Sequence, residues 1–298
     1  MAYFCASIFI RMLILFQSQN SMSLYITSLN SGSNGNCYYV GNNEEAVLID
    51  AGLSCKETER RMNRLGLEMK KVKAIFVTHE HIDHVRGLAG LADKYGMPVY
   101  VTDATRKGCY HLRPESAFLF EAHVPVNIGS LSITGFPKFH DAADPHSFNI
   151  TCNGITIGVF TDIGVTCKQL ISYFKKCHAA FLEANYDEEM LSNGAYPHFL
   201  KNRITGGVGH LSNTQALELF TKHKPAFMSH LYLAHLSKDN NCPKLVQELF
   251  EKNAGATRVM VASRYEEMEV LHVGGTNRMI MQNRKKLLEN NLAQMSLF

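Results

Sequence analysis

An α/β domain in which helices cover sheets is the fold class predicted from Leu24 onward, and three observations predict it. Short β-rich runs alternate with stretches of helical spacing. The dipeptide Asn153-Gly154 between two such runs signals a two-residue hairpin, so the second half begins as antiparallel sheet. No repeat of fixed period and no low-complexity linker divides the chain, which gives one domain from about Met22 to His272 and a tail opened by Gly274-Gly275.

In order, the apolar runs Leu24 to Leu29, Cys37 to Val40, Ala46 to Ile49, Ala74 to Thr78 and Pro98 to Thr102 read as strands. Helical spacing marks Lys56 to Leu65 and Val85 to Tyr95 between them. Strands follow at Leu131 to Phe136, Ser147 to Cys152, Ile155 to Thr161, Ala179 to Glu183, Ala226 to Leu231, Arg258 to Ala262 and Glu267 to His272. Helices are expected at Pro197 to Arg203, Thr214 to Lys222 and Pro243 to Asn253.

With 298 residues, 46% of them hydrophobic, the chain can bury a large core. Its formal charge of +3 lacks the basic excess of a sequence-independent nucleic-acid binder, so any phosphate-binding surface must be local. The eight cysteines form no CxxC pair and read as small buried residues in a reducing cytosol, which places the protein in the cytoplasm. Within residues 1–21, Ala2 to Phe16 is mostly apolar, but Arg11 interrupts the run and neither a basic leader nor a small-residue cleavage site frames it. We expect an over-extended gene start or a disordered segment, with Met22 as the biological start; a membrane anchor is the alternative.

Histidine is the outlier at 14 residues, and it concentrates in Thr78-His79-Glu80-His81-Ile82-Asp83-His84, where a buried strand gives way to a helix. Imidazole nitrogen and carboxylate oxygen suit zinc, manganese or iron, and four such groups within six positions form a preformed chelate. A polar turn with incidental histidines is the competing reading, and it does not account for H-x-H-x-D-H at a strand end.

The motif resembles that of the metallo-β-lactamase superfamily, and further pieces follow in order: Asp50 in LIDAG, His140, Asp162 in FTDIG and His235 in AHLS. The resemblance covers about Leu24 to His272 and implies an αββα sandwich holding two divalent metal ions, zinc or manganese. It implies His79, His81 and His140 on one ion, Asp83, His84 and His235 on the other, Asp162 bridging, and Asp50 orienting a liganding histidine. Two assignments stay open, since His146 could replace His140 and His230 lies five residues before His235. The odd separation along a strand lets only one of the latter pair reach the metals, and His235 falls at the strand end. The implied nucleophile is a hydroxide shared by the metals; no GxSxG motif offers a serine instead.

What surrounds the metals must decide the substrate. The loop Ser31 to Cys37 carries Ser33, Asn34 and Asn36 and can offer backbone N–H groups to an anion. Leu182 to Asp187 and Gly209 to Asn213 resemble in position the paired motifs of ribonuclease Z, whose histidine protonates the leaving oxygen. Here that is His210, with Glu183 to keep it charged, Asp83 completing the catalytic set and Ser212 beside it as a substrate contact or merely a helix cap. Arg106, Lys107, Lys201, Arg203 and Arg264 lie near the motif loops in sequence and could contact phosphates.

Together the segments SGSNGNCYYV, HEHIDHVRGL, HDAADPHSF, LEANYD, GHLSN and AHLSKDNN resemble the YycJ/WalJ group of bacterial metallo-β-lactamase-fold proteins. That resemblance implies a DNA exonuclease working from 5′ ends in repair or replication. Small-molecule hydrolysis of the lactonase or thioesterase type, RNA processing and a catalytically dead binding module are the alternatives. The terminal Gln294-Met295-Ser296-Leu297-Phe298 resembles the short peptide by which replication proteins dock on the sliding clamp, with Gln294, Leu297 and Phe298 as its anchors.

Overall fold

The computed structural model describes residues 23–274, and in it the strand pleat dictates the layers. All four residues of β3 (Ala46–Ile49) are buried. Val47 and Ile49 enter a core with Tyr38, Phe76, Phe148, Phe181 and Tyr232, whereas Ala46 and Leu48 enter another with Met62, Leu91 and Met97. A strand with period two and no polar face must be covered on both sides. The same split recurs on β11 (Ala179–Glu183): Ala179 and Phe181 join the first core, and Ala180 and Leu182 a third with Phe136, Phe174 and Phe220. The result is two sheets packed face to face with helices outside each, an αββα sandwich.

The first sheet contains β1 (Leu24–Asn30), β2 (Cys37–Gly41), β3, β4 (Val72–Phe76), β5 (Val99–Val101), β6 (Ala117–Leu119) and β14 (Leu271–Val273), in the order β14-β1-β2-β3-β4-β5-β6. The second contains β7 (Pro125–Ile128), β8 (Leu131–Pro137), β9 (His146–Cys152), β10 (Ile155–Phe160), β11, β12 (His230–Ala234) and β13 (Arg258–Val261), in the order β13-β12-β11-β10-β9-β8-β7. The strands β10 to β13 are parallel, and the hairpin joining β9 to β10 pairs Cys152 with Ile155. Asn153 at φ 48° and Gly154 at φ 80° supply the two left-handed residues that its turn needs.

On the first sheet lie α1 (Cys55–Arg64), α2 (Ile82–Val85), α3 (Leu88–Tyr95) and α4 (Asp103–Gly108). The second carries α5 (Lys168–Phe174), α8 (Asn213–His223) and α9 (Pro243–Glu251), while α6 (Glu188–Asn193) and α7 (His198–Thr205) pack through Leu191 and Ile204 in a small cluster with Tyr186. The expected helix Val85 to Tyr95 is broken at Gly87, where a Cβ would lie 1.8 Å from the Leu53 carbonyl oxygen. The expected strand from Ala226 starts instead at His230, because a turn closed by Met228 N–H on the Pro225 carbonyl precedes it. Of Glu267 to His272 only Leu271 and His272 lie in β14, which ends at Val273. Residues 1–21 and the anchors Gln294, Leu297 and Phe298 lie outside the described residues.

Strands β1, β3, β4, β8, β10, β11, β12 and β13 all deliver loops to one rim. Among the described residues, five non-glycine residues have positive φ, and three of them are Asp50, Asp162 and His235, at φ 62°, 55° and 55°. Each sits just beyond β3, β10 or β12. Left-handed backbone costs such residues about 1–2 kcal/mol, and strain of this kind collects where a side chain must be aimed for function.

Candidate metal centre

Four sets of donor atoms converge on this rim, each within 4.8 Å: His79, His81 and His140; Asp83, His84 and His235; His79, His84 and Asp162; and Asp162, Glu183, His210 and His235. The imidazoles are aimed from behind. Asp50 accepts from Thr78 N–H and Oγ1–H and holds His84 Nδ1 at 2.7 Å. Thr78 Oγ1 lies 2.9 Å from His79 Nδ1, the Gly209 carbonyl 3.0 Å from His140 Nδ1, and Glu183 Oε1 3.0 Å from His235 Nδ1. In each ring Nε2 is thereby left facing the centre, the arrangement in which an outer partner fixes ring orientation and tautomer. His81 instead presents Nδ1, 3.1 Å from His79 Nε2.

Asp162 faces both groups, with Oδ2 3.3 Å from His84 Nε2 and Oδ1 3.5 Å from His235 Nδ1 and 3.8 Å from His140 Nε2. His140 Nε2, Asp162 Oδ2 and His235 Nε2 are buried without a hydrogen-bond partner. Buried polar atoms seldom go unpartnered, and a cation is what satisfies nitrogen and carboxylate lone pairs that converge. The donor set therefore fits a divalent metal.

The Metallo-beta-lactamase superfamily model matches residues 31–146. Exodeoxyribonuclease YycJ of Bacillus anthracis is 37% identical over 243 residues, covering 78% of this chain and 92% of that protein. The chain belongs to the metallo-β-lactamase superfamily, in the YycJ/WalJ group. Exodeoxyribonuclease WalJ of Streptococcus pneumoniae is 31% identical over 223 residues, which cover 73% of this chain and 83% of that protein. Among solved structures, the metallo-β-lactamase fold protein YhfI from Bacillus subtilis superposes with a TM-score of 0.67 at 16% identity, over 84% of this chain and 99% of that one, a likeness of fold. This superfamily member is a hydrolase, and divalent metal belongs in its His/Asp clusters.

His146 takes no place in those clusters, since its ring packs edge-on against Phe120. His230 opens β12 at the end remote from the rim, hydrogen-bonded to Ser229. Asn36 is wholly buried, with Nδ2 3.2 Å from Asp83 Oδ2 and 3.0 Å from His84 Nε2, so it orients these groups and does not meet substrate. Ser212, 1% exposed, caps α8 in a reciprocal box with Gln215 and is likewise no substrate contact. Ser33 and Asn34 are exposed on the loop.

Of the cations singled out, Arg106 and Lys107 pair with Asp103, Arg203 with Asp141 at 2.5 Å, and Lys201 donates to the Ser192 carbonyl. Arg264, with Nη1 3.5 Å from the Leu236 carbonyl, stands at the site and meets no carboxylate among the described residues.

Glu183 does more than the motif suggests. Fully buried, it accepts from the N–H groups of Asp162, Ile163 and Leu211 and binds both His210 Nδ1, at 2.8 Å, and His235 Nδ1. Burial works against its charge, but His210 and His235 hold its pKa down to about 2. Lys138 has no sequence signal at all. It lies buried beneath the centre, its ammonium donating to the Thr161 carbonyl at 2.7 Å, and burial lowers its pKa.

In the metal-free protein burial opposes charging of His235, yet Asp162, Asp83 and Glu183 outweigh it and raise its pKa to about 10. His84 is likewise raised against burial by Asp162, Asp50 and Asp83. A metal takes neutral imidazole, so uptake releases these protons, and affinity should rise with pH by about tenfold per unit for each proton released. The same pairing stabilises the metal-free fold, fully below the ordinary histidine value of about 6.5, and is lost as pH climbs towards the folded value. Chelator competition at about pH 6.5 and about pH 8.5 measures this; a flat or falling affinity contradicts it.

Proposed function

We propose that the protein is a metal-dependent DNA exonuclease acting from 5′ ends in repair or replication, with two ions, zinc or manganese, at the rim. The observation that carries the reading is the similarity to exodeoxyribonucleases along nearly the whole length of one of them. The His210–Glu183 pair supports it, because a phosphodiester expels a poor alkoxide leaving group that must be protonated.

His79, His81 and His140 would hold one ion, Asp83, His84 and His235 the other, and Asp162 both. Such a pair, when bound, supplies an acidified water and positive charge for the phosphoryl oxygens. Glu183 anchors His210 by Nδ1, leaving Nε2–H to give its proton to the departing oxygen. His210 is partly open to solvent, which lets substrate reach it. Asp83 would serve as a ligand beside His235, its Oδ2 3.7 Å from His235 Nε2.

The test is digestion of end-labelled single- and double-stranded DNA and RNA with zinc or manganese supplied. Stepwise loss from the 5′ end of DNA is expected. Turnover of thioesters or lactones without nucleic-acid cleavage would instead select small-molecule hydrolysis.

The C-terminal QMSLF is part of this proposal as a sliding-clamp peptide, with Gln294 as the polar contact and Leu297 and Phe298 as the apolar anchors. A peptide this small binds weakly alone and gains from effective concentration on DNA. Deleting residues 294–298 should abolish binding to the clamp of the same organism. Equal binding by the truncated chain, or none by the full chain, removes the peptide from the account.

A further inference from the structure

The loop after β13, residues 263–266, is fixed from every side. The Ser263 carbonyl accepts from Ser31 N–H, and Ser263 Oγ accepts from the N–H groups of Tyr265 and Glu266. The Arg264 carbonyl accepts from Asn34 Nδ2–H at 2.6 Å, and the Tyr265 carbonyl from Arg61 Nη2–H at 2.9 Å. Arg61 is itself buried and tied to the Leu29 carbonyl and Asn30 Oδ1 at the end of β1. Yet this pinned backbone holds the Tyr265 ring 72% exposed.

Two guanidinium groups flank the same loop pair. Arg264 Nη1 lies 3.5 Å from the carbonyl of Leu236, the residue after His235. Arg86, two residues beyond His84, donates to the Asn34 carbonyl at 3.1 Å. Neither meets a carboxylate among the described residues, in contrast to Arg203 and Arg106. Gly32, at φ 119°, takes a backbone conformation that side-chain-bearing residues rarely adopt, and it lies in van der Waals range of Arg264 and the Leu236 carbonyl.

We propose that Arg86, Arg264 and Tyr265 form a ledge for an unpaired polynucleotide strand beside the metal centre, the arginines on backbone phosphates and the Tyr265 ring stacked on a base. The inference rests on the nuclease reading and narrows its substrate. Unpartnered guanidinium groups complement phosphates bidentately, and an exposed aromatic among cations is how strands are held without reading sequence. Bases of an intact duplex are already stacked on each other, so Tyr265 takes one only from a single strand or a frayed end. Because Arg61 and Asn34 fix the loop beforehand, binding does not have to order it.

The experiment uses the full chain with manganese, fluorescein-labelled oligothymidylate and, as a base-free comparison, bis(p-nitrophenyl) phosphate. Tyr265→Ala should weaken oligonucleotide binding and raise KM by roughly 5- to 100-fold, well beyond any change on the small diester, while Tyr265→Phe, which keeps the ring, restores it. Arg86→Ala should reduce the slope of log affinity against log salt by about 0.7, because one phosphate of the strand is no longer neutralised. Wild-type cleavage with both Tyr265→Ala and Arg86→Ala behaving like wild type overturns the ledge and leaves the nuclease reading standing. A wild-type protein inert on every oligonucleotide overturns both.

Discussion

Asp162→Ala is expected to abolish hydrolysis and to strip metal from the purified protein. Asp162 is the carboxylate whose two oxygens face histidines of both donor groups, His84 and His235 of one and His140 of the other. On the proposed two-ion reading, losing it removes a donor from each ion at once, and it leaves His84 and His235 without the charge between them. Several kcal/mol of charge stabilisation would go with it, which is a rate loss of about a thousandfold or more. The variant should still fold, because the Asp162 N–H bond to Glu183 is a backbone contact. Alanine at φ 55° lacks the local hydrogen bonding that eases aspartate into left-handed backbone, so a modest loss of stability accompanies the substitution. Metal content by emission spectroscopy and turnover of bis(p-nitrophenyl) phosphate are the measurements. Near-native turnover with full metal occupancy would remove Asp162 from the bridging position. His81→Ala, at the more open mouth and in one donor group only, should likewise abolish turnover but retain more metal.

What was legible in the sequence followed from local pattern. Fully apolar runs such as Ala46 to Ile49 announce strands covered on both faces, and Asn153-Gly154 announces its turn. The strands β6 and β7 escape that pattern because they are short and lie half exposed at the sheet edges, and β7 opens with Pro125, which only an edge strand tolerates. The break at Gly87 comes with its N–H bonding the distant Ala51 carbonyl, which no helical periodicity reports.

The same division holds at the site. Short-range signal places the His79 to His84 cluster, and Asp50, Asp162 and His235 sit at strand ends, as their flanking apolar runs indicate. Asn36 departs from its expected role because its glycine-flanked loop resembles an anion nest, while tertiary packing buries its amide against Asp83 and His84. Lys138 was invisible, since a lone lysine near a strand end is ordinarily solvated. Its burial depends on Thr161 arriving from another strand. Arg61 and Tyr265 give no signal for the same reason: they lie 204 positions apart in the chain and meet only on folding.

His210→Ala is the second large effect, and its value lies in what it leaves intact. The ring belongs to a donor set with Asp162, Glu183 and His235, so a liganding role and an acid role compete. Geometry separates them: Nδ1 is committed to Glu183 at 2.8 Å, and the side chain is the more exposed of the two imidazoles on that carboxylate. As the proton donor to the leaving oxygen, it should cost roughly 10²- to 10⁴-fold in rate when removed, with metal retained. The loss should shrink on bis(p-nitrophenyl) phosphate, whose phenolate leaves without needing a full proton, and persist on DNA, whose sugar alkoxide does. Glu183→Gln should do more damage than His210→Ala, because the carboxylate also holds His235 and the turn at Asp162. An equal loss on both substrates would make His210 a phosphate-binding group, and loss of metal from His210→Ala would make it a ligand.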